Sequence, residues 1–179
     1  MTCDEAGQQL HDAGFVFQAL GRMADGLARE LKEAGPVFLA GIPTRGVTLA
    51  LRLRDALRER GLDCPTGSVD ISMHRDDLGL RQGIHPLLRT ELPLNPEGWN
   101  IVLVDDVQHT GRTARAALEA VLAFGRPRRI LYAVLADRGG RELPVRPDFT
   151  GVELSVPPEA RVRVRLAGTD EEAEGIYQS

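Results

Sequence analysis

The sequence predicts an α/β fold, a parallel twisted sheet flanked by helices, and three observations carry that prediction. Short apolar runs rich in β-branched residues occur at 37–40, 101–104 and 130–136, the pattern of strands covered on both faces. Two of these runs are followed by helical spacing, over 47–60 and again from Ala114, where apolar residues fall at Ala114, Ala117, Leu118, Val121 and Leu122 before Gly125 and Pro127 stop the pattern. Strand, crossover helix and strand place both connecting loops on one carboxyl edge of a parallel sheet. That edge is where an open α/β sheet binds ligands, and a helix amino end there favours a phosphate.

Taken in order, residues 15–33 carry Val16, Leu20, Met23, Leu27 and Leu31 at one-face spacing, which predicts an amphipathic helix closed by Gly35-Pro36. The strand at 37–40 runs into Gly41-Ile42-Pro43-Thr44-Arg45-Gly46, and the helix at 47–60 ends at Gly61. A third strand is expected at 69–73, with His74-Arg75-Asp76-Asp77 at its end. The long stretch from there to Ile101 is rich in Gly, Pro, Arg and Leu and lacks helical spacing, so a flexible hood loop over the site is expected. Arg75, Asp76, Asp77 and Arg81 are assigned to it, and His85 and Arg89 are further charges it could bring. The strand at 130–136 delivers Asp137-Arg138-Gly139-Gly140-Arg141-Glu142-Leu143-Pro144 to the same edge as the other loops. Weaker strands are expected at 149–154 and 162–166. Alternation of Val162 and Val164 with Arg161, Arg163 and Arg165 predicts a half-buried edge strand with a basic outer face. The acidic stretch 170–174 is expected to be mobile. No internal repeat beyond the two β-to-α loops and no linker divides the chain, so residues 1–179 are read as one domain.

Composition narrows the function classes. A chain of 179 residues can bury roughly 70 % of its unfolded surface. Its 42 % hydrophobic and 27 % charged residues are ordinary for a soluble globular protein. No apolar run approaches the ~20 residues of a membrane span, and nothing resembles a signal peptide. Cys3 and Cys64 are too few and too far apart for a disulfide framework or a zinc site, so a cytoplasmic setting is the expectation. The net charge of −4 argues against a surface built wholly for nucleic acid but allows a local basic patch.

The central loop poses a chemical question, because Asp105 and Asp106 stand beside an anion hole and would repel a bare phosphate. A ligand carrying a phosphate and vicinal hydroxyls removes the conflict: the carboxylates accept from the hydroxyls while backbone N–H and Thr hydroxyl groups hold the phosphate. No Gly-Lys-Ser/Thr follows the glycine and no G-x-G-x-x-G is present, which excludes a Walker A loop and a dinucleotide fingerprint. In the 41–46 loop, Arg45 is placed to pair bidentately with a polyphosphate, and Gly41 and Gly46 allow close backbone approach.

Val-Asp-Asp-Val-x-x-Thr-Gly-Arg-Thr at 104–113 resembles the phosphoribosyl pyrophosphate (PRPP) motif of type I phosphoribosyltransferases. Gly-Ile-Pro-Thr-Arg-Gly (41–46) is similar to the pyrophosphate loop of one branch, the bifunctional pyrimidine operon regulators and uracil phosphoribosyltransferases. Val-Asp-Ile-Ser-Met-His-Arg-Asp-Asp-Leu (69–78) is similar to the strand leading into that branch's flexible loop, and Ala-Val-Leu-Ala-Asp-Arg-Gly-Gly-Arg-Glu-Leu-Pro-Val-Arg (133–146) looks like its later signature. The resemblance covers about 37–166, and its Asp-Arg-Gly-x-Arg-Glu-Leu-Pro segment separates it from purine and orotate relatives.

The resemblance implies a type I phosphoribosyltransferase fold and the reaction of uracil with PRPP to give UMP and pyrophosphate, with Mg²⁺ carried on PRPP rather than held by a resident metal site. It implies Asp105, Asp106 and Arg45 as catalytic residues. PRPP is assigned to Thr44, Arg45, Gly46, Asp105, Asp106, Val107, Gln108, His109, Thr110, Gly111, Arg112 and Thr113, the segment 109–113 holding the 5′-phosphate. Uracil is assigned to Asp137, Arg138, Gly139, Gly140 and Arg141, whose backbone groups match a base with two carbonyls and an N–H. The branch also suggests a homodimer or higher homo-oligomer, and UMP-dependent binding of pyrimidine operon leader mRNA.

Where the family carries Leu-Tyr this chain has Gln108-His109, and His109 could lend a pH-dependent positive charge; Pro43 stands where a Lys is frequent. For RNA, Arg22 matches and Arg161 and Arg163 are candidates, but Asp25 occupies a position usually held by His, and Pro157-Pro158-Glu159 lacks the usual Lys. Lost positive charge removes the phosphate contacts that dominate RNA affinity. The alternatives are a transferase of this fold that has lost RNA binding and a purine-salvage phosphoribosyltransferase.

Overall fold

Asp12 turns the chain into its first helix: its carboxylate accepts the Phe15 amide at 2.8 Å and caps α1 (Ala13–Leu31). In the computed structural model, which describes residues 7–72 and 90–179, the remaining elements are β1 (Gln8–Asp12), β2 (Val37–Gly41), α2 (Arg45–Glu59), β3 (Thr66–Ser68), β4 (Asn100–Gln108), α3 (Arg112–Ala123), β5 (Arg129–Asp137), β6 (Phe149–Glu153), β7 (Val162–Arg165) and β8 (Gly175–Gln178).

Five strands form a parallel sheet in the order β3-β2-β4-β5-β6. Side chains alternate between its faces, and both faces are dry. Val37, Leu39, Val102, Val104, Leu131 and Ala133 pack with α1 and α2, while Phe38, Ala40, Ile101, Leu103, Tyr132 and Val134 pack under α3. Complete burial on both sides is why these strands read as unbroken apolar runs. A second, antiparallel sheet in the order β1-β8-β7 joins the two ends of the chain. Arg161 and Arg163 are exposed at its β7 edge while Val164 is buried, as the alternation predicts.

Several expectations are corrected. The third strand is 66–68 rather than 69–73. Thr66, Gly67 and Ser68 pair with Leu39, Ala40 and Gly41, and the Asp70 carboxylate then accepts the Ser72 amide at 2.9 Å, curling the chain out of the sheet. The 170–174 stretch, expected to be mobile, is fastened at both ends: Asp170 and Glu174 are ion-paired to α2, and the chain continues into β8, which the sequence reading missed together with β1. Met73 and the expected hood residues Arg75, Asp76, Asp77 and Arg81, with His85 and Arg89, lie outside the described residues. Among the described residues no helix is long and apolar enough to cross a membrane.

Candidate active site

From β2 the chain moves to β3 on one side, and from β4 to β5 and β6 on the other, so the crevice between β2 and β4 is the switch point where open α/β sheets bind ligands. Both helices that start at this crevice open without a side-chain cap. Thr44 precedes α2 and Gly111, in the left-handed region at φ 91°, precedes α3. Their first-turn N–H groups and helix dipoles therefore favour anions at two neighbouring points. The loops are in close contact: the Ile42 amide donates to the Val104 carbonyl at 2.8 Å, and a Cβ on Gly46 would lie 2.3 Å from that same oxygen.

β4 is longer than the apolar run 101–104, so Asp105 and Asp106 stand on the strand's carboxyl end rather than in the loop. Asp105 is buried, 6 % exposed, and accepts the Asp106 amide at 2.9 Å; Asp106 accepts the Val107 amide at 2.9 Å. Beneath them lies Tyr132, whose phenol is pushed well above its usual range by burial first and then by the carboxylates of Asp105, Asp106 and Asp137. It stays protonated and donates to the side-chain amide oxygen Oε1 of Gln108 at 3.0 Å.

That contact turns the Gln108 side chain into the core. The residue is 2 % exposed, and its amide nitrogen donates to the carbonyls of Val145 and His109 at 3.4 Å. Gln is tolerated inside this core because both ends of its amide are satisfied. His109 is exposed, and burial of its ring, followed by the nearby Arg138 charge, holds its imidazole below the ordinary range against the pull of Glu142. The downward shift favours the neutral ring over the pH-dependent positive charge that His109 could lend.

Arg45 is the first residue of α2. Its guanidinium is engaged bidentately by Asp170, through Nε at 3.0 Å and Nη2 at 2.5 Å. The Asp170 hydrogen bond, opposed by burial and aided by the charges of Asp170, Asp106 and Glu172, raises its pKa, so it is a permanent cation at the crevice. Sequence reasoning assigned this fork to a ligand and missed Asp170 as its partner. The two residues are 125 positions apart, and no local pattern links them.

The loop after β5 lies against the loop after β4. Arg138 donates its amide to the Gln108 carbonyl at 3.1 Å, and the amides of Glu142 and Leu143 both donate to the Thr110 carbonyl. Arg112 pairs with Glu142 at 2.8 Å, which ties the two loops by a charge contact as well. Gly139 and Gly140 are both left-handed, at φ 69° and 73°, and a Cβ on Gly140 would press on the His109 ring at 3.1 Å. The side chain of Arg138 is turned away: it holds the carbonyls of Pro157, Pro158 and Ala160, so only its backbone remains for a base. Arg141 pairs with Asp137, which is buried and also accepts the Gly139 amide at 2.9 Å. The three loops expected to converge thus do so, with Thr110, Gly111 and Arg112 lying against Glu142 and Leu143.

Three loops at a switch point, two uncapped helix starts and paired carboxylates define a phosphoribosyltransferase, and residues 6–166 match the phosphoribosyl transferase domain family. The chain is 42 % identical over 171 residues to the bifunctional protein PyrR of Roseiflexus sp. (strain RS-1), covering 95 % of this chain and 93 % of the relative. It is 44 % identical over 164 residues to that of Chloroflexus aurantiacus, covering 91 % and 90 %. The chain therefore belongs to the PyrR family of phosphoribosyltransferases. Among solved structures, the hypoxanthine phosphoribosyltransferase of Trypanosoma cruzi in complex with the product IMP superposes with a TM-score of 0.72, covering 99 % of this chain and 96 % of that one. The Leishmania tarentolae HGPRT-ase in complex with GMP gives 0.71, with 95 % and 94 % covered. Each is 19 % identical to this chain, which speaks for the fold alone.

Proposed function

We propose that this chain is a uracil phosphoribosyltransferase, converting uracil and PRPP to UMP and pyrophosphate, and that it also regulates pyrimidine operons by UMP-dependent binding of leader mRNA. The observation that carries the enzymatic half is the pair of carboxylates, Asp105 and Asp106, flanked by two uncapped helix starts at one crevice. PRPP has two phosphate ends and vicinal hydroxyls between them, which is the order of groups this crevice would meet. The 5′-phosphate falls to residues 109–113, the pyrophosphate to Thr44, Arg45 and Gly46, and the ribose hydroxyls to the carboxylates.

In the reaction the C1′–O bond to pyrophosphate breaks with its electron pair leaving on the pyrophosphate, and uracil N1 bonds to C1′ as its proton passes to solvent. Positive character develops at C1′, and a fixed carboxylate stabilises it only as it develops. The base lies against the backbone of residues 137–141, whose peptide groups match its carbonyls and N–H. Among the described residues no three His, Cys, Asp or Glu side chains gather as a metal centre, and the hard oxygens of Asp105 and Asp106 suit a Mg²⁺ that arrives with PRPP. When bound, it would offset charge on the departing pyrophosphate. Initial rates with uracil, hypoxanthine and guanine in the presence of PRPP test the reading. Uracil should be preferred by at least about a hundredfold in kcat/KM, a difference within reach of a site that pairs with the base's polar edge. Preference for a purine would overturn it.

For RNA, Arg22 donates to the Gly151 carbonyl at 3.2 Å and lies over the Phe15 ring, while Arg165 lies over the Tyr177 ring in the small sheet. The two basic stretches are thus held by different elements, and Asp25, one turn from Arg22, is paired with Arg60 at 2.6 Å. Filter binding of the host's own leader RNA should show an affinity that rises with UMP and falls steeply with salt, because counterion release sets the slope. Asp25→His should tighten it without altering transferase rate. Micromolar or weaker binding with no UMP effect would leave a transferase that has lost RNA binding. A cytoplasmic location and a homodimer or higher homo-oligomer complete the reading.

A further inference from the structure

The turn between β7 and β8 is fastened to one stripe of α2. Arg45, Thr48 and Arg52 stand three and then four residues apart, so they share a helix face. Each meets the turn. Arg45 holds Asp170, Thr48 Oγ1 lies 2.6 Å from Thr169 Oγ1, and Arg52 holds Glu174 at 2.8 and 2.9 Å. Asp170 in turn accepts the Leu166 amide at 2.8 Å, which secures the carboxyl end of β7.

The Arg45 contact differs from the Arg52 contact in its place, because Arg45 opens α2 at the crevice assigned to pyrophosphate. A phosphate and a carboxylate offer a guanidinium the same planar two-oxygen face, so the ligand and Asp170 are rivals for one fork. The exposures show which partner can turn away: the Arg45 side chain is 36 % exposed and the Asp170 side chain 11 %. The carboxylate is fixed by the β7 end and the guanidinium is the reachable half. The Arg45 hydrogen bond holds the Asp170 carboxyl below the usual carboxylate range, so protonation near neutral pH does not open the pair. A more highly charged anion can.

We propose that Asp170 is a competitor built into the chain for the pyrophosphate-binding Arg45, so that filling the polyphosphate site releases the Asp170 carboxylate and loosens its hold on Leu166, at the end of the basic strand β7. This rests on the reading of Arg45 as a polyphosphate residue. Thr48 stays on Thr169, and Arg52 stays on Glu174 and the Ala167 carbonyl, which confines the release to the Asp170 carboxylate and the Leu166 amide it holds. By linkage, whatever steadies the Asp170 end of β7 weakens pyrophosphate binding by the same factor that pyrophosphate loosens it.

Calorimetric titration with inorganic pyrophosphate, in chelator and without divalent cation, tests this on the full chain. Asp170→Asn removes the rival charge and should bind about tenfold tighter than the wild type, within the usual range of such couplings. Glu174→Gln, farther along the turn, should change affinity by less than about twofold on the same scale. The Leu166 backbone amide, which Asp170 accepts, should exchange with deuterium faster when pyrophosphate is added to the wild type, and should be fast and unresponsive in Asp170→Asn. Equal or weaker binding by Asp170→Asn, or a wild-type Leu166 amide that ignores pyrophosphate, overturns the proposal, provided Arg45→Ala still loses pyrophosphate and so keeps the site. If Arg45→Ala binds pyrophosphate like the wild type, the polyphosphate reading falls and the proposal with it. The exchange measurement on the wild type decides the matter even if Asp170→Asn does not fold.

Discussion

Asp105→Asn and Asp106→Asn should each lower uracil phosphoribosyl transfer at least about tenfold while leaving the protein folded. Each carboxylate stands at the carboxyl end of β4 with its own backbone anchor, Asp105 on the Asp106 amide and Asp106 on the Val107 amide, so neither needs to move to face a ligand between the helix starts. Asn keeps the shape and the acceptor oxygen but loses the charge. A tenfold loss corresponds to about 1.4 kcal/mol, a modest demand on a charge that opposes positive character at C1′. Because the charge acts on the transition state, kcat and kcat/KM should fall together. The effect should be larger for the more buried Asp105, where the local dielectric is lower. Circular dichroism guards against loss of fold. Full activity in both folded variants would mean that the crevice has been wrongly assigned.

Gly46→Ala is expected to cost at least about tenfold in affinity for PRPP and pyrophosphate, together with roughly 1–3 kcal/mol of stability, the usual range for forcing a methyl into closed space. The added Cβ would lie 2.3 Å from the Val104 carbonyl oxygen and 3.4 Å from Asp105 Cα, both main-chain atoms that cannot rotate aside. The loop must therefore lift from β4, carrying Thr44 and Arg45 away from the carboxylates. Gly21→Ala is the control, since its nearest neighbour would be an Arg60 nitrogen at 3.9 Å and alanine favours a helix interior. Product inhibition by pyrophosphate and thermal melting of both variants give the comparison. An unaltered inhibition constant for Gly46→Ala would show that the closeness of the two loops is not needed.

The strands β2, β4 and β5 were legible because a strand buried on both faces has no polar side to interrupt it, and 37–40, 101–104 and 130–136 carry that pattern in a few residues. The helices after β2 and β4 were legible from their spacing, and the loops from the glycines and carboxylates between. The boundaries shifted for local reasons. β4 extends through Asp105, Asp106 and Gln108 because its backbone pairs with β5 as far as Asp137, and side-chain polarity carries little news of a main-chain ladder.

The sequence by itself therefore determined the parallel sheet, its carboxyl-edge crevice and the residue types brought there, since burial and turn formation depend on neighbours along the chain. Tertiary structure alone decided how those residues are engaged. The small sheet exists because residues 8–12 and 175–178 meet from opposite ends of the chain, and neither segment is apolar enough to announce a strand. Gln108 points inward because Tyr132 lies below it, and Arg138 points outward because the carbonyls of 157–160 are there to receive it. Arg45 and Asp170 form one pair across 125 positions. A charge finds its partner by proximity in space, and local sequence pattern carries no trace of it.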